Sequence, residues 1–199
     1  MTTEEATLFY VAVGIPQGLI TDQEAAETAG AVRRGGELVS LTAEDYGLWA
    51  ALGTPASRAT LDEAVAARGW QVAYGGIQRL SELSLVFELD IEGSLDGQLG
   101  YLRPIPRGVG VGNLAAEPGT YQIKGEPPSQ SPAVAVNAVG IMLWWEFDGS
   151  ASLKTVLDKV AKRLPQLPRT ALERLAVVLL MRLLTQHLIY LDIARENQG

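Results

Sequence analysis

Met142-Leu143-Trp144-Trp145-Glu146-Phe147-Asp148-Gly149, followed by Ser152-Leu153-Lys154-Thr155-Val156-Leu157, places Leu-Trp early in an apolar helix pattern. It stops that helix at Gly and restarts one behind Ser. The same grammar occurs upstream in Tyr46-Gly47-Leu48-Trp49-Ala50-Ala51-Leu52-Gly53 and then Ala59-Thr60-Leu61-Asp62-Glu63-Ala64-Val65. In this first copy an insertion, Thr54 to Ala59, separates Gly53 from Thr60-Leu61. Each copy closes on a similar run, Leu85 to Ile91 in one case and Leu188 to Ile193 in the other. Internal repetition constrains architecture before any single motif is consulted. The 199 residues are therefore expected to form two small, similar α+β domains. Such an arrangement points to binding rather than catalysis.

Working outward through the first copy, Leu8 to Val13 is rich in β-branched and aromatic residues, and Gly14 and Pro16 end it, so it reads as a strand. Thr21 or Asp22 can cap a short helix reaching Ala31, with Glu24 placed for a capping box and Gly35-Gly36 as its break. Glu37 to Leu41 alternates as a strand does. Thr42 then caps a helix whose inner face is Leu48, Trp49 and Leu52. Thr60 caps a second helix ending at Gly69, with Leu61, Ala64 and Val65 facing inward. A third helix is expected from Gly76 to Ser84, with Ile77, Leu80 and Leu83 as its stripe. The alternating Val86 to Ile91, the turn formers Glu92 to Gly97 and the returning Gln98 to Arg103 read as a β-hairpin. Three short helices followed by a hairpin is the order of a winged helix-turn-helix.

Prolines and glycines crowd residues 104–132, which read as a connector enclosing one strand, Thr120 to Lys124. The second copy follows: a strand at Ala133 to Val136, and helices from about Asn137 to Phe147, from Ser152 to Leu164, and from Pro168 or Arg169 to His187. Pro168 suits a helix first turn, where its missing N–H costs nothing. Strand Leu188 to Ile193 leaves this copy at most half a wing. The expected organisation is two tandem winged helix-turn-helix domains, 1–103 and 133–199, joined by the connector.

Composition narrows the function classes. The chain has no cysteine, which excludes disulfides and thiolate metal sites. The start, Met1-Thr2-Thr3-Glu4-Glu5, does not resemble a signal peptide, and the most apolar run, Leu175 to Leu184, is too short for a membrane span. A cytoplasmic protein without membrane contact is expected. Charge is uneven: the first 100 residues carry 15 Asp/Glu against 5 Lys/Arg, whereas residues 150–199 carry 8 Lys/Arg against 4 Asp/Glu. The acidic half disfavours nucleic acid, whose binding is built on phosphate neutralisation. The basic end suits an acidic partner or the acidic half of a second copy, as in a homodimer.

With those residues in view, the second copy resembles the PqqD family, small winged-helix domains that recognise the leader segments of ribosomally made peptides. The resemblance rests on Val136-Asn137-Ala138-Val139-Gly140, Leu143-Trp144, Phe147-Asp148-Gly149, Ser152-Leu153 and Leu183 to Asp192. It implies a guest peptide added as a strand beside the third helix. The site would lie along the edge near Val134 and Val136 and the face of Leu179, Arg182 and Leu183. Tandem winged helices also resemble kleisin-binding subunits of chromosome-condensing complexes and many bacterial regulators. A DNA-binding regulator and a structural subunit are therefore the alternative expectations.

The remaining chemistry-bearing residues read as structural. His187 is the sole histidine and ends an apolar helix, so neither a triad nor a histidine metal cluster has material. Arg107 to Asn113 spaces its glycines closely but follows Pro104-Ile105-Pro106, unlike a phosphate loop, and reads as a loop or irregular strand. Glu44-Asp45 and Asp62-Glu63 fall in helix first turns, where the dipole accounts for them. Trp49 and Trp144 occupy equivalent core positions. Trp145 and Trp70 are the aromatic candidates for a partner surface. No enzyme, cofactor or metal site is expected, and the partner is a protein or peptide.

Overall fold

The computed structural model describes residues 8–22, 27–67, 73–92, 97–98, 100–114, 117–127 and 131–194, and the chain divides into two compact units, Met1–Gly93 and Ser94–Gly199. Unit 1 runs β1 (Leu8–Ala12), β2 (Ile15–Asp22), β3 (Glu27–Arg34), β4 (Glu37–Thr42), α1 (Ala43–Ala51), β5 (Ala56–Ser57), α2 (Arg58–Ala67), α3 (Ala73–Glu82) and β6 (Val86–Asp90). Unit 2 runs β7 (Leu102–Pro106), β8 (Gly108–Leu114), β9 (Glu117–Gly125), β10 (Val134–Val136), α4 (Ala138–Glu146), α5 (Leu153–Arg163), α6 (Arg169–Thr185) and β11 (Ile189–Ile193). The class is α+β, with small antiparallel sheets. No described helix is long and apolar enough to cross a membrane.

The two units share one topology. Each opens with a strand, continues into a three-stranded antiparallel meander, passes through three helices, and closes with a strand that returns to pair with the first. The meanders are β2-β3-β4 and β10-β9-β8. The closing ladders are β1·β6, from Leu8↔Asp90 to Ala12↔Val86, and β7·β11, from Leu102↔Ile193 to Pro106↔Ile189. β5 adds a third strand to the unit 1 ladder, which leaves β1 central.

Hydrogen bonds pin the correspondence residue by residue. Thr42 caps α1 by accepting from the Asp45 N–H, and Asn137 caps α4 by accepting from the Gly140 N–H. Ser57 Oγ accepts from the Thr60 N–H at 3.2 Å, and Ser152 Oγ from the Thr155 N–H at 3.3 Å. α3 and α6 both end in the Schellman arrangement. The Leu85 N–H donates to the Leu80 carbonyl and the Leu188 N–H to the Leu183 carbonyl, both at 2.8 Å. The residues that turn the chain there, Ser84 and His187, share a φ of 53°. His187 thus has an exposed, conformational role. Finally, Val13 N–H donates to Leu85 O and Arg107 N–H to Leu188 O, both at 2.8 Å.

Several expectations are corrected by these pairings. The helix expected from Thr21 or Asp22 to Ala31 is instead parts of β2 and β3, and Glu24 lies outside the described residues. Alanine-rich composition favours a helix, but tertiary packing decides otherwise. Ala31 and Val32 are fully buried, and a Cβ on Gly30 would overlap the Tyr46 ring at 2.1 Å. The 86–103 hairpin does not form, because β6 pairs with β1 and β7 with β11. The segment read as a connector holds most of β7 together with β8 and β9, the counterparts of β1, β2 and β3. β11, expected to stand as half a wing, instead pairs with β7 from the N-terminal side of the helices. Ser57, not Thr60, caps α2, so the caps Thr42 and Ser57 are spaced as Asn137 and Ser152 are, and no insertion interrupts the first copy there. Leu83 is 38% exposed, while Ile77 and Leu80 are buried.

Each core is organised by its tryptophan. Trp49 is 4% exposed, and its indole N–H donates 3.0 Å to the Val13 carbonyl, tying α1 to the end of β1. Trp144 is 6% exposed and meets Phe147 edge-on at 6.3 Å. Leu48, Leu52, Leu61 and Leu80 share one core cluster with Trp49 in unit 1, and Leu143, Leu153, Leu157 and Leu183 are fully buried in unit 2. The α4–α5 turn is set by Asp148, whose carboxylate accepts from the Ser150 hydroxyl and backbone N–H. The Ser150 hydroxyl above all, then its N–H, holds that carboxyl below the usual range.

One buried ion pair distinguishes the copies. Asp192 on β11 is 1% exposed and stands directly across from Arg103 on β7, with Nη2 and Oδ2 2.6 Å apart. Arg103 also donates to the Gly149 carbonyl at 3.0 Å, fixing the ladder to the α4–α5 turn. The same register position in unit 1 holds Phe9 across from Leu89. Removing one partner of a buried pair costs about 3–5 kcal/mol, whereas replacing both with apolar residues is often close to neutral. Asp192→Leu is therefore expected to lose stability on that scale, and Arg103→Phe/Asp192→Leu to recover more than half of it in urea unfolding. Asp148 supplies a pH test. A carboxyl whose folded pKa lies below its unfolded one stabilises above the unfolded value and loses that effect as pH falls through the folded one. The melting temperatures of the wild type and Asp148→Ala should converge on acidification below the ordinary carboxylate range.

Candidate functional site

β10 ends its sheet: β9 covers one edge, and the other has no strand neighbour among the described residues. Alternation turns Val134 and Val136 inward, at 3% and 6% exposure, and leaves Ala135 exposed. α6 runs beside the open edge. Between them lie two cavities. One, about 340 Å³, is lined by Ala135 and Val136 on the strand side and by Leu175, Val178, Leu179 and Arg182 on the helix. The other, about 280 Å³, is lined by Ala133 and Val134 and by Met181, Arg182 and Thr185. They share Arg182 and together follow the length of β10 as one groove.

The sequence builds this groove in three steps. Pro168 starts α6 without needing an N–H donor, and the helix runs to the Schellman turn after Thr185. Its inner stripe, including Leu172, Ala176, Leu180 and Leu183, buries against the unit 2 core. That leaves Leu175 at 37% and Val178 at 57% exposure on the outer side, where they form the apolar wall. Gly140 in α4 then permits close approach, since a Cβ there would lie 2.9 Å from the Val136 Cβ. Among the described residues the lining is apolar apart from a few neutral polar groups and one charge, the exposed Arg182.

Unit 1 has the corresponding edge, β4, with a different electrostatic arrangement. Asp45, equivalent to Gly140 through the helix caps, grips Arg79 on α3 with both oxygens, at 2.6 and 3.2 Å. Arg79 precedes Leu80 as Arg182 precedes Leu183, and the Schellman bonds align the two leucines. The hydrogen bond that Arg79 donates to Asp45, reinforced by the carboxylate's charge, holds the guanidinium above its ordinary pKa.

Of the residues singled out from sequence, Val134, Val136, Leu179 and Arg182 come together along the groove. Leu183 does not: it is fully buried in the core behind them. Trp145 is 63% exposed on α4 but is not among the lining residues of either cavity. Trp70 lies outside the described residues. Leu175, Val178, Met181 and Gly140 were missed. A helix so rich in leucine and valine conceals which apolar positions face out, and only the placement of β10 reveals it. No family model matches the chain, and neither does any curated protein or solved structure.

The tight fit at Gly140 is testable. Overpacking of this kind costs about 1–3 kcal/mol. Gly140→Ala should lower the midpoint of urea unfolding accordingly, while Gly35→Ala, whose Cβ would meet nothing within 4 Å, reports the cost of backbone strain without crowding.

Proposed function

We propose that this chain is a non-catalytic binding protein built from two winged-helix units, and that unit 2 takes an extended peptide by strand addition at β10. The winged-helix reading is supported by the β5-β1-β6 sheet, in which a short strand between the first two helices and the strand after the third helix flank one central antiparallel strand. Here that central strand comes from the N-terminal side of the helices rather than from a returning hairpin. The observation that carries the binding reading is the juxtaposition of an unpaired strand edge with an apolar groove along α6. Strand addition draws affinity from main-chain hydrogen bonds and specificity from pockets taking alternate side chains. An open edge bordered by two successive cavities has that form.

The test is direct titration of a fluorescein-labelled peptide, Ser-Val-Thr-Val-Glu-Val-Thr-Val-Ser, into the full chain, followed by anisotropy. Saturable binding is expected. Proline placed in turn at Val134, Ala135 and Val136 should abolish it at whichever positions direct their N–H to the free edge, with the circular dichroism spectrum retained. Proline at Val39 in β4 should leave it unchanged. Absence of saturation, or binding indifferent to every proline that folds, would overturn the reading.

A further inference from the structure

We infer that the guest segment carries an acidic side chain, and that its carboxylate docks on Arg182, where unit 1 supplies a carboxylate of its own. This rests on the strand-addition reading and adds the chemistry of the guest. Arg79 and Arg182 occupy the same position, immediately before the leucine whose carbonyl closes the Schellman turn. In unit 1 the guanidinium is satisfied within the chain by bidentate pairing to Asp45. Unit 2 has Gly140 at the position of Asp45, three residues after the helix cap in both cases. No side chain fits there without displacement, because the Cβ site lies 2.9 Å from Val136. Arg182 consequently makes no ion pair or side-chain hydrogen bond among the described residues, and it faces both cavities.

The surroundings favour an anionic group from outside. Among the described residues Arg182 is the only charged side chain lining either cavity, and none of them neutralises it there. Arg174, one turn nearer the helix start than Val178, is also exposed and adds positive charge. Unit 2 carries 11 Lys/Arg against 9 Asp/Glu, while unit 1 carries 5 against 14. Arginine holds a carboxylate through two parallel N–H donors, and in unit 1 the geometry for this already exists. The groove thus has the features of an acidic-peptide site: apolar walls at Leu175 and Val178, an open strand edge, and a guanidinium between the two cavities.

The experiment compares two labelled peptides on the full chain, Ser-Val-Thr-Val-Glu-Val-Thr-Val-Ser and its counterpart with Gln for Glu. The Glu peptide should bind about tenfold or more tightly than the Gln peptide, as expected for a charge-assisted hydrogen bond. Arg182→Gln should erase that difference while leaving the melting temperature unchanged. Arg174→Gln should retain most of it. Equal affinity of the two peptides for the wild type would overturn the carboxylate assignment and leave strand addition standing. No binding of either would overturn both. Sedimentation of the free chain covers the remaining occupant: a dimer that Arg182→Gln dissociates would mean the carboxylate comes from a second copy, which also overturns the proposal.

Discussion

The antiparallel ladder between the first and last strand of each unit is the constraint on which the rest depends. β1 and β6, like β7 and β11, come from opposite ends of a unit, so pairing them encloses the meander and all three helices. Closing so long a loop carries an entropic cost that grows only slowly with length, and it is offset once for the whole unit. The helix caps are fitted to this closure. The Schellman turns at Ser84 and His187 direct Leu85 and Leu188 into the core and aim the following strand back at the first one. Trp49 completes the tie in unit 1 by bonding to Val13 at the end of β1.

On this shared frame the two copies have diverged by exchanging polar and apolar solutions at matched positions. Phe9 and Leu89 meet across the unit 1 ladder where Arg103 and Asp192 meet in unit 2. At the helix pair the exchange runs the other way, with Asp45–Arg79 in unit 1 and Gly140 opposite Arg182 in unit 2. Backbone hydrogen bonds preserve the frame through both changes, because caps and ladders do not depend on those side chains. Function then resides in the surface that each copy carries rather than in the fold that they share.

In unit 2 the open edge of the meander, β10, lies beside the third helix. An open strand edge is an aggregation hazard unless short, charged or covered. β10 has only three residues, and it is the edge bordered by the groove. β4 is longer, and Glu37 begins it and pairs with Arg34.

The Leu-Trp repeats, the caps Thr42 and Ser152, and the closing strands were legible in the sequence because each is a local pattern: helical periodicity, a cap before it, alternation after it. Four groove residues were reached through a family resemblance carried by the same local motifs. Within residues 8–42 and 102–136 the strands β1, β4, β9 and β10 were read from local pattern, whereas β2, β3 and β7 resisted, because glycines and prolines obscure their periodicity and because β6 and β7 look like the arms of one hairpin. Only the tertiary structure decided that β6 belongs to β1 and β7 to β11, since a strand's partner is chosen by which buried faces can be covered together. It also decided that Leu183 turns inward while Leu175 and Val178 face out, and that Gly140 leaves Arg182 without the carboxylate that Arg79 has. Those facts depend on residues far apart in the chain, and local sequence carries no record of which distant neighbours will meet.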